Sequence, residues 1–90
     1  MQIVQTPTFK KQCKKLNHNQ KVCLDKAVRQ ILETPDIGEL KKGDLSGARV
    51  YKFKMIGQVT LLGYEVFDEQ MQLVLLALGV HENFYRDLRQ

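Results

Sequence analysis

The sequence predicts a small α+β protein in which a helical hairpin packs on one face of an antiparallel sheet, in the chain order β-α-α-β-β-β-α. Two observations predict this class. Apolar residues recur at helical spacing in the first third of the chain, and they alternate with polar residues after residue 49. With 90 residues, 43% of them hydrophobic, the chain can bury one core. We therefore expect a single domain over residues 1–90, with the second sheet face free for function.

A short strand and two helices are predicted in the first third. Residues 1–5 contain a β-prone pair, and Thr6 can cap a helix whose first turn accepts Pro7. The apolar positions that follow indicate an amphipathic helix of roughly ten residues. A second amphipathic helix should end near Glu33, because Pro35 pushes the residue before it out of the α conformation. The two helices have apolar sides that need a sheet to cover them.

Three strands and a closing helix are predicted in the remainder. Arg49–Met55 alternates between apolar and charged residues, and residues 59–67 form a second strand. Residues 72–78 are an apolar run that does not alternate, which indicates a central strand covered on both faces. Residues 82–89 favour a short helix. Residues 35–48, which include three glycines, are predicted to be a loop.

The basic residues suggest an anionic partner. The formal net charge is +4, and cations cluster at Lys41, Lys42, Arg49, Lys52 and Lys54. Such clusters suit the phosphates of a nucleic acid or an acidic protein. The alternative for each cation taken alone is a solvated surface side chain.

Several classes of site are excluded by the sequence. The glycines fit neither a phosphate-binding loop nor a dinucleotide fingerprint, and the single serine lacks a nucleophile elbow. Cys13 and Cys23 lack zinc spacing, so we expect buried thiols in a reducing cytosol and neither metal nor cofactor. No apolar run approaches the roughly 20 residues of a membrane span, and no signal peptide is evident. A cytoplasmic protein without membrane contact is expected.

His81 is the leading candidate for a catalytic residue. It follows the apolar strand, and Tyr85 lies four residues later, on the same side of the predicted closing helix. A histidine moves protons near neutral pH, and a tyrosine can donate a hydrogen bond or stack on a base. The alternative is structural, with His81 capping the strand end and Tyr85 packing in the core.

The cations could complete a ribonuclease site around His81. Lys52 and Lys54 share one face of their strand, Arg49 begins that strand, and Arg86 follows Tyr85. If they converge on His81, they would hold the scissile phosphate and stabilise the charge that develops during attack. RNA supplies its own nucleophile, the 2′-hydroxyl, so an acid, a base and cations suffice.

The run LLALGVHENFY at residues 75–85 resembles the closing strand and helix of the RelE/ParE superfamily of bacterial type II toxins. The order of elements resembles that superfamily over essentially the whole chain. The pattern Leu-x-x-Gly-x-His, with an aromatic residue four positions later, is similar to RelE-like ribosome-dependent endoribonucleases that use a histidine there. The resemblance implies that His81 is the catalytic acid or base, with Tyr85 beside it. It also matches Lys52 and Lys54 to a lysine-bearing strand.

The resemblance implies a toxin that cuts mRNA on the ribosome and so inhibits translation, as a metal-independent, RNA-binding hydrolase. Its partners would be the ribosome, mRNA and an acidic antitoxin. One departure keeps an alternative open: many RelE-like toxins carry an arginine early on the next strand, where this chain reads GQVTL at residues 57–61. ParE-like members, which inhibit DNA gyrase by binding, are therefore the second hypothesis, and an inactive homologue is the third.

Overall fold

The computed structural model describes residues 1–89, and it confirms the predicted α+β class. Two consecutive helices follow the first strand, and four consecutive strands precede the last helix. In chain order the elements are β1 (Gln2–Gln5), α1 (Pro7–Cys13), α2 (His18–Glu33), β2 (Glu39–Leu40), β3 (Arg49–Met55), β4 (Gln58–Phe67), β5 (Gln72–Gly79) and α3 (His81–Leu88). A 3₁₀ turn, Gly43–Leu45, lies between β2 and β3.

Side-chain caps begin the first two helices, and the cap at Thr6 agrees with the sequence prediction. The Thr6 hydroxyl accepts a hydrogen bond from the Phe9 amide at 3.1 Å and donates one to the Leu76 carbonyl at 2.9 Å. Asn17 and Gln20 form a reciprocal capping box, with both hydrogen bonds at 2.9 Å. Each cap satisfies amides that the first helical turn leaves free, and Thr6 also ties α1 to β5.

The sheet has the strand order β1-β5-β4-β3-β2, and it is mixed rather than antiparallel. β2 to β5 pair antiparallel, whereas β1 pairs parallel with β5, Gln2 opposite Gln72. The chain leaves β1, crosses the sheet as the helical hairpin and returns to β1's side only with β5. The alternation of apolar and polar residues within a strand does not indicate whether a strand far away in the sequence will pair with it in the parallel or the antiparallel direction. The predicted interior position of β5 is confirmed.

Residues 35–48 are more ordered than the predicted loop. Glu39–Leu40 pairs with the start of β3 as a two-residue edge strand, which is too short to leave an alternating pattern. The Tyr64 hydroxyl anchors this segment, since it donates to the Pro35 carbonyl at 2.7 Å and accepts from the Gly38 amide at 2.9 Å. A side chain at Gly38 would lie 2.7 Å from that hydroxyl, so the close approach requires glycine.

The two faces of the sheet are covered differently. On one face α1 and α2 build the larger apolar cluster, in which Ile31, Leu62, Tyr64 and Leu73 are each 0% exposed. On the other face α3 covers a smaller cluster through Phe84 and Leu88. The sequence analysis expected the second face to be free, but α3 covers part of it. Phe84 and Leu88 are four residues apart and form an apolar side that must be buried.

Two further features concern the turns and the thiols. β3 and β4 are joined by Ile56 and Gly57, whose φ angles of 48° and 80° are those of a type I′ hairpin turn. Cys13 and Cys23 are half-buried and free, and burial raises the pKa of the Cys13 thiol. Within residues 1–89, the helices are too short or too polar to span a bilayer.

Candidate active site

His81 is the first residue of α3, one position earlier than the sequence predicted for the closing helix. β5 ends at Gly79, and Val80 turns the chain in an extended conformation, φ −84° and ψ 164°, before the helix begins. The imidazole is exposed at this junction. Its ring centre lies 5.5 Å from that of Tyr85, edge to face, so the four-residue spacing brings the two rings together.

Phe84 holds the helix that carries both rings. Its side chain is 0% exposed, and its ring centre lies 5.1 Å from that of Tyr85. The sequence analysis expected Phe84 to pack α3 onto the sheet, and this is confirmed. Gly63 beneath it has no room for a side chain, because a Cβ atom would come within 2.6 Å of Leu88. The placement of His81 and Tyr85 therefore depends on a tightly packed base.

A cleft of about 330 Å³ lies between β2, β3 and α3, and we call it the central cleft. Its lining among residues 1–89 is Ile37, Glu39, Lys41, Val50, Tyr51, Lys52, Leu61, His81 and Tyr85. It continues into a groove of about 540 Å³, the outer groove, lined by Lys52, Gln58, Val59, Leu61, Val80, His81 and Glu82. Lys52, Leu61 and His81 border both. His81 and Lys52 thus line both depressions, which adjoin one another.

Lys41 is fixed in the central cleft by two partners. Its ammonium forms an ion pair with Glu39 and lies 5.5 Å from the centre of the Tyr85 ring. The hydrogen bond from Lys41 and the charge of this lysine lower the pKa of Glu39, and Lys52 adds a smaller lowering. The same hydrogen bond raises the pKa of Lys41 against a lowering by burial. Both groups therefore remain charged at neutral pH.

Four of the predicted site residues lie together, and four do not. His81, Tyr85, Lys52 and Lys41 line the central cleft. Lys54 instead lines a separate pocket with residues of α2. β3 is paired with β4 at this point, but β2 does not extend to it, so the outer edge of β3 is open there. Lys42 is exposed ahead of the 3₁₀ turn.

The two arginines also lie outside the described lining of the cleft. Arg49 begins β3 on the face toward α2, and its guanidinium donates to the carbonyls of Asp36 and Gly38 at 3.3 and 2.9 Å. It stabilises the segment before β2. Arg86 is one residue beyond Tyr85 and so points about 100° away around the helix. Its side chain is 70% exposed and lies 3.7 Å from the Asp87 carboxylate. Arg49, Arg86 and Lys54 therefore do not meet His81 in the central cleft, and Lys42, which was predicted only to bind phosphate, also lies outside its lining.

Sequence reasoning missed Glu39 and the apolar wall of Ile37, Val50 and Leu61. Glu39 fell in the predicted loop, where no direction could be assigned to its side chain. The available signal was the Glu-x-Lys spacing of residues 39 and 41, which places both side chains on one face if the segment is extended.

The central cleft can hold an anion and move a proton. Two ammonium groups, Lys41 and Lys52, provide positive charge, and the exposed imidazole of His81 can accept or donate a proton. The apolar wall excludes water from one side and strengthens these interactions. Residues 1–89 contain no group of three histidine, cysteine or carboxylate side chains placed to hold a metal ion.

Solved structures of the E. coli toxin RelE share this fold. The intact E. coli RelBE toxin–antitoxin complex matches with a TM-score of 0.71 and 25% identity, over 90% of this chain and 96% of that one. A free RelE variant with two arginines replaced by alanine matches with a TM-score of 0.72 and 22% identity, over 90% and 83%. The isolated RelE toxin matches with a TM-score of 0.71 and 23% identity, over 90% and 84%.

A family model matches almost the whole chain, although no single curated protein sequence matches it significantly. The family model described as the ParE-like toxin of type II bacterial toxin–antitoxin systems matches residues 3–89, which include the whole fold except the first residue of β1. The chain therefore belongs to the ParE-like family of toxins of type II bacterial toxin–antitoxin systems.

Proposed function

We propose that this toxin is a ribosome-dependent mRNA endonuclease that inhibits translation. One observation carries the proposal: His81 and Lys52 border the same cleft, with Tyr85 and Lys41 beside them, on a fold shared with RelE. The cleft combines a proton-transfer group with cations for a phosphate, and this combination suits cleavage of a phosphodiester better than passive binding.

In the proposed reaction, the RNA 2′-hydroxyl attacks the adjacent phosphorus atom and the bond to the 5′-oxygen breaks. His81 accepts the proton of the 2′-hydroxyl, and its protonated ring returns a proton to the departing 5′-oxygen. Lys52 and Lys41 stabilise the negative charge that gathers on the phosphate oxygens. The products are a cyclic phosphate and a 5′-hydroxyl, and the reaction requires no metal. Proton transfer by a positioned side chain contributes about 10²- to 10⁴-fold to such a rate.

An acidic antitoxin is the proposed inhibitor. RelE has been solved in complex with its antitoxin RelB, and this chain shares the RelE fold. A flexible acidic segment that covers Lys41 and Lys52 would block the cleft, because it would neutralise the cations that a phosphate needs. The neutralised complex would be the resting state of the toxin.

The proposal is tested by adding purified toxin to translating ribosomes and mapping cuts in the mRNA. Wild type should cut inside codons, and His81→Ala should lose about 10²- to 10⁴-fold of the rate while it still binds antitoxin. His18→Ala is the matched control, since His18 is exposed at the start of α2. It should cut at the wild-type rate. Intact mRNA with wild-type toxin would contradict the proposal.

The two strand lysines provide a sharper version of this test. Lys52 borders both the cleft and the groove, whereas Lys54 lines a pocket beside α2. Lys52→Met should therefore reduce cleavage far more than Lys54→Met, although both remove one charge from the same strand. Equal losses would mean that the lysines act through overall charge and not through the cleft.

Inhibition of DNA gyrase is the second candidate function. The observation in its favour is on β4, where Val59, Thr60 and Leu61 provide no cation to support phosphate chemistry, and Thr60 and Leu61 are buried. A binding poison needs no such cation. Supercoiling by purified gyrase distinguishes the two: inhibition there, with mRNA left intact on ribosomes, would reverse the order of the candidates.

A further inference from the structure

Glu39 is a carboxylate in a cleft that otherwise favours anions. It stands on the two-residue edge strand β2, and its carboxylate pairs with Lys41 and lies within electrostatic reach of Lys52. A carboxylate at this place repels the phosphate of any nucleic acid that enters the cleft. Its presence therefore requires an explanation that the cleavage chemistry does not provide.

Lys41 and Glu39 are held to different degrees. The Lys41 side chain is 23% exposed and rests against the Tyr85 ring, and its backbone amide donates to the Ala48 carbonyl at 2.9 Å. The Glu39 side chain is 74% exposed, and its ion pair with Lys41 is the contact that holds it. If the pair separates, Glu39 can swing into solvent while Lys41 stays in the cleft. The lysine is the fixed member of the pair, and the carboxylate is the movable one.

We infer that Glu39 is an internal counter-ion of a phosphate subsite formed by Lys41 and Lys52: it neutralises Lys41 in the free toxin and is displaced when a substrate phosphate binds. This inference rests on the proposed function, since it takes single-stranded RNA as the ligand. Displacement opposes RNA binding, so Glu39 sets a threshold that weakly charged or poorly placed anions do not pass. It is a positioning and selectivity residue, and it takes no part in proton transfer.

The displacement has a signature in the dependence of binding on salt. Each phosphate that a cation neutralises releases counter-ions from the RNA, with a slope of about 0.7 in log affinity against log salt for a single strand. When Glu39 is displaced, it takes up a counter-ion of its own, which cancels part of this release. Removing its charge should therefore tighten RNA binding and make the slope steeper.

The experiment measures fluorescence anisotropy of a labelled single-stranded 2′-O-methyl RNA, which lacks the nucleophile and so is bound without being cut. Glu39→Gln should bind about two- to fivefold more tightly than wild type, the range of one exposed ion pair, and its slope should be steeper. Glu69→Gln makes the same charge change in the exposed β4–β5 turn, so it is the matched control. It should leave the slope unchanged.

A double substitution locates the effect. In the Lys41→Met background, Glu39→Gln should improve binding no more than Glu69→Gln does, because the cation that Glu39 neutralises is gone. A full improvement in that background would overturn the pairing of Glu39 with Lys41. If wild type binds RNA and Glu39→Gln binds like Glu69→Gln, this inference fails alone. If wild type and all variants leave the RNA unbound, the inference fails, whereas the proposed function is decided separately by cleavage of mRNA on translating ribosomes.

Discussion

The two faces of the sheet differ in how completely they are covered. On the α1/α2 face, two helices bury a continuous cluster, and the one polar atom of Tyr64 is used to anchor the segment before β2. On the α3 face, a helix of eight residues buries a small cluster and leaves the central cleft beside it. The contrast indicates that the first face provides most of the stability, and that the second holds its reactive groups near solvent.

This separation follows from the lengths of the covering elements. α2 spans 16 residues and joins α1 in covering one face, whereas α3 spans eight and packs mainly on β5 and β4. Polar groups such as His81, Lys41 and Lys52 can line the uncovered part without the cost of burial. Substitutions on the closed face should therefore change the free energy of unfolding, and substitutions in the cleft should change activity.

The largest expected effect on stability is at Ile31. Ile31→Ala removes a side chain that is 0% exposed from the closed face, and it should lower the free energy of unfolding by about 2–5 kcal/mol. Ile37→Ala makes the same change in the half-open wall of the cleft, where we expect a loss of about 0.5 kcal/mol. Urea denaturation measures both. Similar losses at the two sites would break the contrast between the faces.

Gly63→Ala tests how closely α3 rests on the sheet. The added Cβ atom would meet Leu88 at 2.6 Å and Phe84 at 3.0 Å, so we expect a loss of about 1–3 kcal/mol and a displaced helix. Gly79→Ala is the matched control, because its Cβ atom would have no neighbour within 4 Å. The near-ultraviolet circular dichroism of the tyrosines, which include Tyr85, and the cleavage rate report the displacement. An undisturbed spectrum in Gly63→Ala would show that α3 is more loosely held than its contacts indicate.

Tyr64→Phe tests the anchor on the closed face. It leaves the buried Gly38 amide and the Pro35 carbonyl without their partner, which should cost about 1–2 kcal/mol. Burial also raises the pKa of Tyr64 above its ordinary value of 10.0, so the folded chain keeps this proton to higher pH than the unfolded chain. The contribution is complete below pH 10 and is lost as pH rises through the folded pKa.

The pH dependence therefore separates Tyr64 from the other titrating groups. The difference in unfolding free energy between wild type and Tyr64→Phe should be constant from pH 7 to about 9 and should shrink above about 10. Denaturation at a series of pH values measures it. A difference that grows with pH would mean that the hydroxyl is not protected from solvent.

The smallest expected effect is a gain, at the β3–β4 turn outside both clusters. Ile56 is a β-branched residue held at a φ of 48°, a conformation that costs such a residue about 1–2 kcal/mol. Ile56→Asn should recover about 1 kcal/mol, since Asn-Gly suits a type I′ turn. Ile56→Val keeps the β-branch and should show no gain. Thermal unfolding compares the three proteins, and a loss of stability in Ile56→Asn would mean that Ile56 makes an apolar contact that outweighs its strain.

Much of the fold was accessible from local patterns. Thr6 with Pro7 predicted the start of α1, Pro35 predicted the end of α2, and the alternation after residue 49 predicted β3. Each of these features depends on residues a few positions apart in the chain. Directions of side chains within regular elements could be predicted for the same reason.

The candidate site was accessible only in part. The spacing of His81 and Tyr85 placed them together, because residues four apart share one side of a helix. The side chains that surround His81 and Tyr85 could not be predicted in the same way, because they come from other elements. The sequence predicted that Arg49 binds phosphate, yet its guanidinium donates to the carbonyls of Asp36 and Gly38 on the other face. Glu39 could not be predicted as a site residue, because it lies in an edge strand of only two residues.

By itself, the sequence determined the helices, the β3 to β5 strands, the amphipathic character of the first two helices and the pairing of His81 with Tyr85. The tertiary structure alone decided that β1 runs parallel to β5, that Lys41 and Glu39 enter the cleft, and that Lys54 and the arginines stay out of it. The physical reason is range. Hydrogen bonds and side-chain periodicity within an element act over a few residues, whereas the edges of a cleft are set by the packing of segments that are distant in the chain.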